Sequence, residues 1–137
     1  MKAAWCVFFL VASWASARAD DSKVVLNEDI EVLHAERMAY PLEGRVRVVE
    51  GAVIVKVELE HDGTVRAATA VSGPKRLIDD CLKNAKKWRF RRAGQGTAYL
   101  IYLFQIKGLC ELPCPSNFEF HPPNVVMVSM GSPLATP

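Results

Sequence analysis

The residues of this chain with chemistry to offer are four cysteines, three histidines and a tryptophan set among cations. Cys110 and Cys114 could close a small loop, Cys81 could pair with either of them, or all three could join His121 around a metal ion. Cys81 falls among apolar residues at helical spacing, where a lone thiol behaves as a small hydrophobe. The paired ligand spacing of a zinc site is missing. Of these readings we adopt a Cys110–Cys114 disulfide, and expect no metal. For catalysis, Ser72-Gly73 is not a nucleophile elbow. Asp79 and Asp80 are adjacent, so they point to different sides of a helix. His34 and His61 read as exposed loop histidines, and no histidine has an evident partner. No catalytic residue and no cofactor are therefore expected, and the chain is not read as an enzyme.

Trp88 and Phe90, with Lys86, Lys87, Arg89, Arg91 and Arg92, have the aromatic and basic mixture of a nucleic-acid patch. Charge balance argues against that use. Met1-Lys2, an apolar run from Ala3 to about Ala12, and Ala17-Arg18-Ala19 before Asp20 follow the order of a secretory signal peptide. A spanning helix needs about 20 predominantly apolar residues, whereas Ser13, Ser16 and Arg18 interrupt this one. Cleavage after Ala19 predicts a periplasmic or secreted protein with no stable membrane insertion thereafter. Of 17 Lys plus Arg, Lys2 and Arg18 leave with the leader, and the remaining cations then balance 15 Asp plus Glu. A neutral chain lacks the many phosphate contacts of a nucleic-acid binder, so no nucleic acid is expected. Cys6 leaves as well, and three thiols remain in a compartment where disulfides persist.

The elements that position these residues follow from periodicity. Residues 20–36 are polar without a sustained period and read as a linker, with one short helical turn near Glu28 to Glu36. Tyr40-Pro41 suits the start of a short helix, since the missing N–H of proline is tolerated in a first turn. Val53, Val55, Val57 and Leu59 alternate with Lys56 and Glu58, the period of a strand burying one face. A loop of His61, Asp62 and Gly63 pairs Leu59 with Val65, Val57 with Ala67 and Val53 with Val71, and requires positive φ at Gly63. Leu77, Ile78, Cys81, Leu82, Ala85 and Trp88 lie at helical spacing, predicting a helix from about Arg76 to Trp88. Val55, Val57, Leu59, Leu77, Cys81, Trp88 and Phe90 form the expected core.

Ala93-Gly94-Gln95-Gly96 reads as a connection to a third strand, from Ala98 to Ile106. That strand is apolar on both faces, so a second layer or another chain must cover it. Connectivity gives the sheet order 2-1-3 and leaves this strand at an edge. The tail from Cys110 carries two short apolar pieces, Phe118 to Phe120 and Val125 to Val128. They could supply the cover or pair at the sheet edge.

With Tyr40-Pro41, Glu50-Gly51, Asp62-Gly63, Val71-Ser72-Gly73, Ile78-Asp79 and Trp88-Arg89-Phe90 in order, the chain resembles the TonB C-terminal domain family from about Tyr40 to Lys107. The resemblance implies an α+β fold, helix-strand-strand-helix-strand, with two helices packed on one face of a small antiparallel sheet. It implies no enzymatic activity but a protein or peptide partner, such as a segment of an outer-membrane receptor in transport, added as a strand at the sheet edge. The receiving edge would then be the third strand, with Leu100, Tyr102, Phe104 and Ile106. The segment before Tyr40, which lies near the partner peptide in the family, reads Glu36-Arg37-Met38-Ala39 and lacks the glutamine of well-studied members. Neither the uncleaved membrane helix nor the Pro-rich spacer of a full transducer is seen, so binding rather than force transmission is expected. The expected organisation is a signal peptide at 1–19, a linker at 20–36, a TonB-like domain at 37–108 and a Pro-rich C-terminal extension at 109–137. The alternative is a structural, self-associating envelope protein that forms a homodimer through the same strand.

Overall fold

The computed structural model describes residues 30–91 and 96–134. The expected signal peptide, most of the linker, Arg92 and the connection through Ala93, Gly94 and Gln95 lie outside the described residues. Nine elements follow in chain order: β1 (Glu31–His34), α1 (Leu42–Arg47), β2 (Gly51–Leu59), β3 (Val65–Ser72), α2 (Lys75–Ala85), β4 (Arg89–Arg91), β5 (Thr97–Cys110), β6 (Ser116–His121) and β7 (Val125–Pro133). Strands β3-β2-β5-β7-β6 form one sheet, and β1 and β4 pair as a separate ribbon.

The alternation along β2 works as its sequence dictates. Val53, Val55, Val57 and Leu59 are buried, together with Ala98, Leu100, Tyr102 and Phe104 of β5 and Val126, Val128 and Met130 of β7. Leu77, Cys81 and Ala85 of α2, followed by Trp88, complete this core. Trp88 lies beyond the helix, which ends at Ala85, and Phe90 sits in β4 rather than at a helix end. Trp88 is the hinge of the packing: it stacks on Phe90 and meets Tyr102 and Phe120 edge-on, with centroids 6.2, 6.5 and 5.4 Å away.

Four expectations need correction. Part of the supposed linker forms β1, which pairs antiparallel with β4 because Val32 lies across from Phe90. The β2–β3 hairpin keeps Leu59 opposite Val65, but Val57 faces Ala68 and Val55 faces Ala70. A register shift between Glu58 and Leu59 puts one extra residue into β3, and such a bulge moves every later side chain to the other face. Val71, expected inside, falls at a second register shift, between Val55 opposite Ala70 and Ile54 opposite Ser72, and is 57% exposed.

The third correction concerns the sheet edge. The order of the three expected strands holds, but β7 lies parallel to β5 from Ile101 opposite Val125 to Cys110 opposite Pro133. The chain's own tail therefore occupies the edge expected to receive a partner. The fourth follows from it: residues 109–134 are no appendage, since β6 and β7 complete the same sheet. A strand apolar on both faces suits this central position. Its second face, with Ile101 and Leu103 beside Ile54, Val125 and Met127, is half-buried among its sheet neighbours.

Two glycines decide how the chain closes. Gly63 has φ of 86°, as the hairpin loop requires, and a Cβ there would lie 1.8 Å from the carbonyl oxygen of Phe90. Phe90 donates its backbone N–H to the Gly63 carbonyl at 2.9 Å, which fastens the hairpin to β4. Gly131 of β7 passes under the Cys110–Cys114 disulfide, where a Cβ would meet Cys110 Sγ at 2.7 Å. That disulfide was the pairing adopted from the sequence, and Cys81 is free and buried.

Candidate functional site

The outer side of β4 is bridged to the hairpin loop at Thr64, which leaves the edges of β1, β3 and β6 among the described residues, and they differ in what they offer. β1 has four residues and a register shift between Val32 and His34. β3 shifts register twice against β2, and Arg66 on it is paired with Glu58 at 2.8 Å. Bulges and charges are the usual means of discouraging edge-to-edge pairing. β6 has neither bulge nor break: Ser116 to His121 run without a shift against Met130 to Val125. Its other side carries no backbone hydrogen bond among the described residues.

The regularity of β6 comes from its own alternation. Ser116, Phe118 and Phe120 face the helix side, opposite the buried Met130, Val128 and Val126. Asn117, Glu119 and His121 are exposed. Phe120 meets Trp88, and the Arg37 guanidinium lies 5.9 Å above the Phe118 ring, a cation–π geometry.

Arg37 belongs to a strap, residues 36–41, that crosses the helix side of the sheet. Three groups hold it. Ser116 Oγ accepts from the Tyr40 backbone N–H at 3.0 Å and from Arg45 Nη2 at 2.6 Å, and Arg45 Nε donates to the Tyr40 carbonyl. Asn84 Nδ2 donates to the Glu36 carbonyl at 2.9 Å, while Asn84 Oδ1 accepts from Trp88 Nε1 and the Tyr102 hydroxyl at 2.8 and 2.9 Å. A buried amide with both ends used costs nothing in unmade bonds and fixes the strap to the core. The Tyr40 hydroxyl donates to the Val49 carbonyl. Burial, and then the charge of Glu50, push its pKa up to about 12, so the donor stays protonated.

Grooves flank the strap. One, of about 400 Å³, is lined by Arg37, Met38, Ala39, Arg45, Cys114, Pro115, Ser116 and Phe118. The other, of about 330 Å³, lies between the strap and α2 and includes Asp80, Lys83 and Lys87.

The residues expected to meet a partner lie elsewhere. Leu100, Tyr102 and Phe104 are in the core, with Phe104 edge-on to Tyr40 at 5.4 Å. Ile106 is half-buried, and its backbone N–H is taken by Glu50 Oε1 at 2.6 Å. Asp62 and Gly63 do form the turn: Asp62 Oδ1 accepts from both the backbone and the hydroxyl of Thr64, which holds its carboxyl below the usual range. Asn84 and Ser116 were not singled out by sequence reasoning, and Arg37 entered only as part of the segment before Tyr40. Asn84 alone left a signal, as a polar residue on α2 four positions before Trp88.

Among the described residues no group of three or more His, Cys, Asp and Glu could hold a metal ion, and no helix is long and apolar enough to cross a membrane. No family model matches the chain, and no curated protein matches it. The chain is similar to the solution NMR structure of the Pseudomonas aeruginosa TonB C-terminal domain, with 25% sequence identity and a TM-score of 0.47, over 61% of this chain and 92% of that one.

Proposed function

We propose that this protein is a non-enzymatic, exported protein-binding module that accepts an extended segment of a partner at the outer edge of β6. The observation that carries this reading is a six-residue edge strand in unbroken register, beside two edges that are bulged. Free backbone donors and acceptors in regular order provide the affinity in strand addition, and side chains alternating to either side provide selectivity. The ordered motifs from Tyr40 to Lys107 resemble TonB C-terminal domains, and an envelope protein of outer-membrane transport is the partner that resemblance favours. The tail hairpin moves the receiving edge two strands outward from the position first expected, because β7 already fills the place beside β5.

Amide hydrogen exchange tests this directly. With a synthetic extended peptide in excess, the outward amides of Ser116–His121 should gain protection while those of β3 do not. Protection confined to β3 or β1 would refute the assignment. A dimer that forms at high concentration without peptide and protects the same β6 amides would favour self-association instead, through β6 and not through the third strand.

A further inference from the structure

Taking the β6 edge as the receiving strand, the charge around it specifies the chemistry of what is received. We infer that the partner segment is acidic on the side facing the strap. A strand added beside β6 continues the sheet, so alternate side chains rise on the helix side, next to Phe118 and Phe120. The groove there is bounded by Arg37 and Arg45. Across the strap, Lys83 and Lys87 line the second groove. None of these four cations has a carboxylate partner within ion-pair distance among the described residues, where the ion pairs are those of Arg66, Arg76 and Arg91 and the remaining carboxylate contacts are to His34 and His121.

The acids nearby do not cancel this charge. Asp80 lines the second groove alone against two lysines and Arg37. Glu36 has its carboxylate on the His34 ring at 2.8 Å and lines neither groove. Glu119 lies next to Phe118 in sequence and therefore on the opposite face of the sheet, beside His121. The two faces of an added strand thus meet different fields: cations over an aromatic floor on the helix side, and an acid on the other. The Arg37 guanidinium already lies 5.9 Å from the Phe118 ring centroid, so a carboxylate arriving from the free edge meets it beside β6. A planar fork of donors suits carboxylate recognition better than an ammonium does.

Calorimetric titration of the full chain with two seven-residue peptides, one alternating valine with glutamate and the other valine with lysine, tests the inference. Several exposed charge pairs together predict roughly tenfold tighter binding of the glutamate peptide at low salt. That advantage should shrink toward equality as ionic strength approaches about 1 M. Arg37→Glu, at an exposed position that leaves the core untouched, should bring the glutamate peptide down to the level of the lysine one. Equal affinities for the two peptides, with β6 amides protected in each case, would overturn the charge assignment and leave the strand-addition reading intact. Protection of β6 by neither peptide would overturn the two together. An Arg37→Glu variant that keeps the full preference would remove Arg37 from the site.

Discussion

Strand β5 is flanked by two hairpins built on opposite logic. On one side β2 and β3 are joined by a three-residue loop and follow one another along the sheet, with β2 antiparallel to β5 and β3 antiparallel to β2. On the other side β7 is inserted between β5 and β6, parallel to the first and antiparallel to the second, although β6 precedes it in the chain. The β2–β3 hairpin ends in an edge broken by two bulges, whereas the β6–β7 hairpin, joined by residues 122–124, ends in a smooth one. Closing a strand edge is thus separate from folding it: β3 is stabilised and sealed, and β6 is stabilised and left able to pair.

Trp88 belongs to both flanks, through Phe90 on one and Phe120 on the other. Trp88→Ala should therefore cost about 3–5 kcal/mol and lower the two flanks together. Chemical denaturation followed by probes on each flank would show one transition, and two separated transitions would mean that the flanks are independent. Gly63→Ala should cost about 2–3 kcal/mol, because a Cβ is forced into the left-handed region against the Phe90 carbonyl. Its effect should be unequal, with β2–β3 amides losing protection first while those of β6 and β7 hold.

The matching change on the other flank is the pair Cys110→Ser with Cys114→Ser. Their sequence separation is only 4, so the loop entropy lost is small and the expected destabilisation is about 2 kcal/mol. Exchange should quicken in β6 and β7 and stay unchanged in the β2–β3 hairpin. Equal effects on the two flanks from either of these variants would remove the distinction between them.

What could be read from the sequence was what short-range pattern controls. The alternation of Val53, Val55, Val57 and Leu59, the spacing of Leu77, Cys81 and Ala85 and the turn at Asp62-Gly63 each lie within one or two elements, and their burial and φ follow directly. The Cys110–Cys114 pairing has the same character, since a separation of four residues keeps the two sulfurs close. Apolar character on both faces of the third strand suggested a covering layer, whereas the structure puts that strand at the centre of the sheet with its second face half-buried among its neighbours. The alternation rule carried the β3 register only as far as Val65, because the two register shifts leave no mark in the pattern of small residues that follows.

Tertiary structure alone decided the candidate site. Whether Val125–Pro133 would lie beside β5 depends on the packing of Val126 and Val128 against the core and on the path of residues 111–115, neither of which a periodicity records. Likewise Arg37 and Phe118, or Asn84 and the Glu36 carbonyl, meet only after the strap has crossed the sheet. Local pattern sets which face of an element turns inward, because side-chain direction repeats every two or 3.6 residues. Which strand remains outermost is a property of the assembled sheet, in which every new pairing removes one edge and creates another.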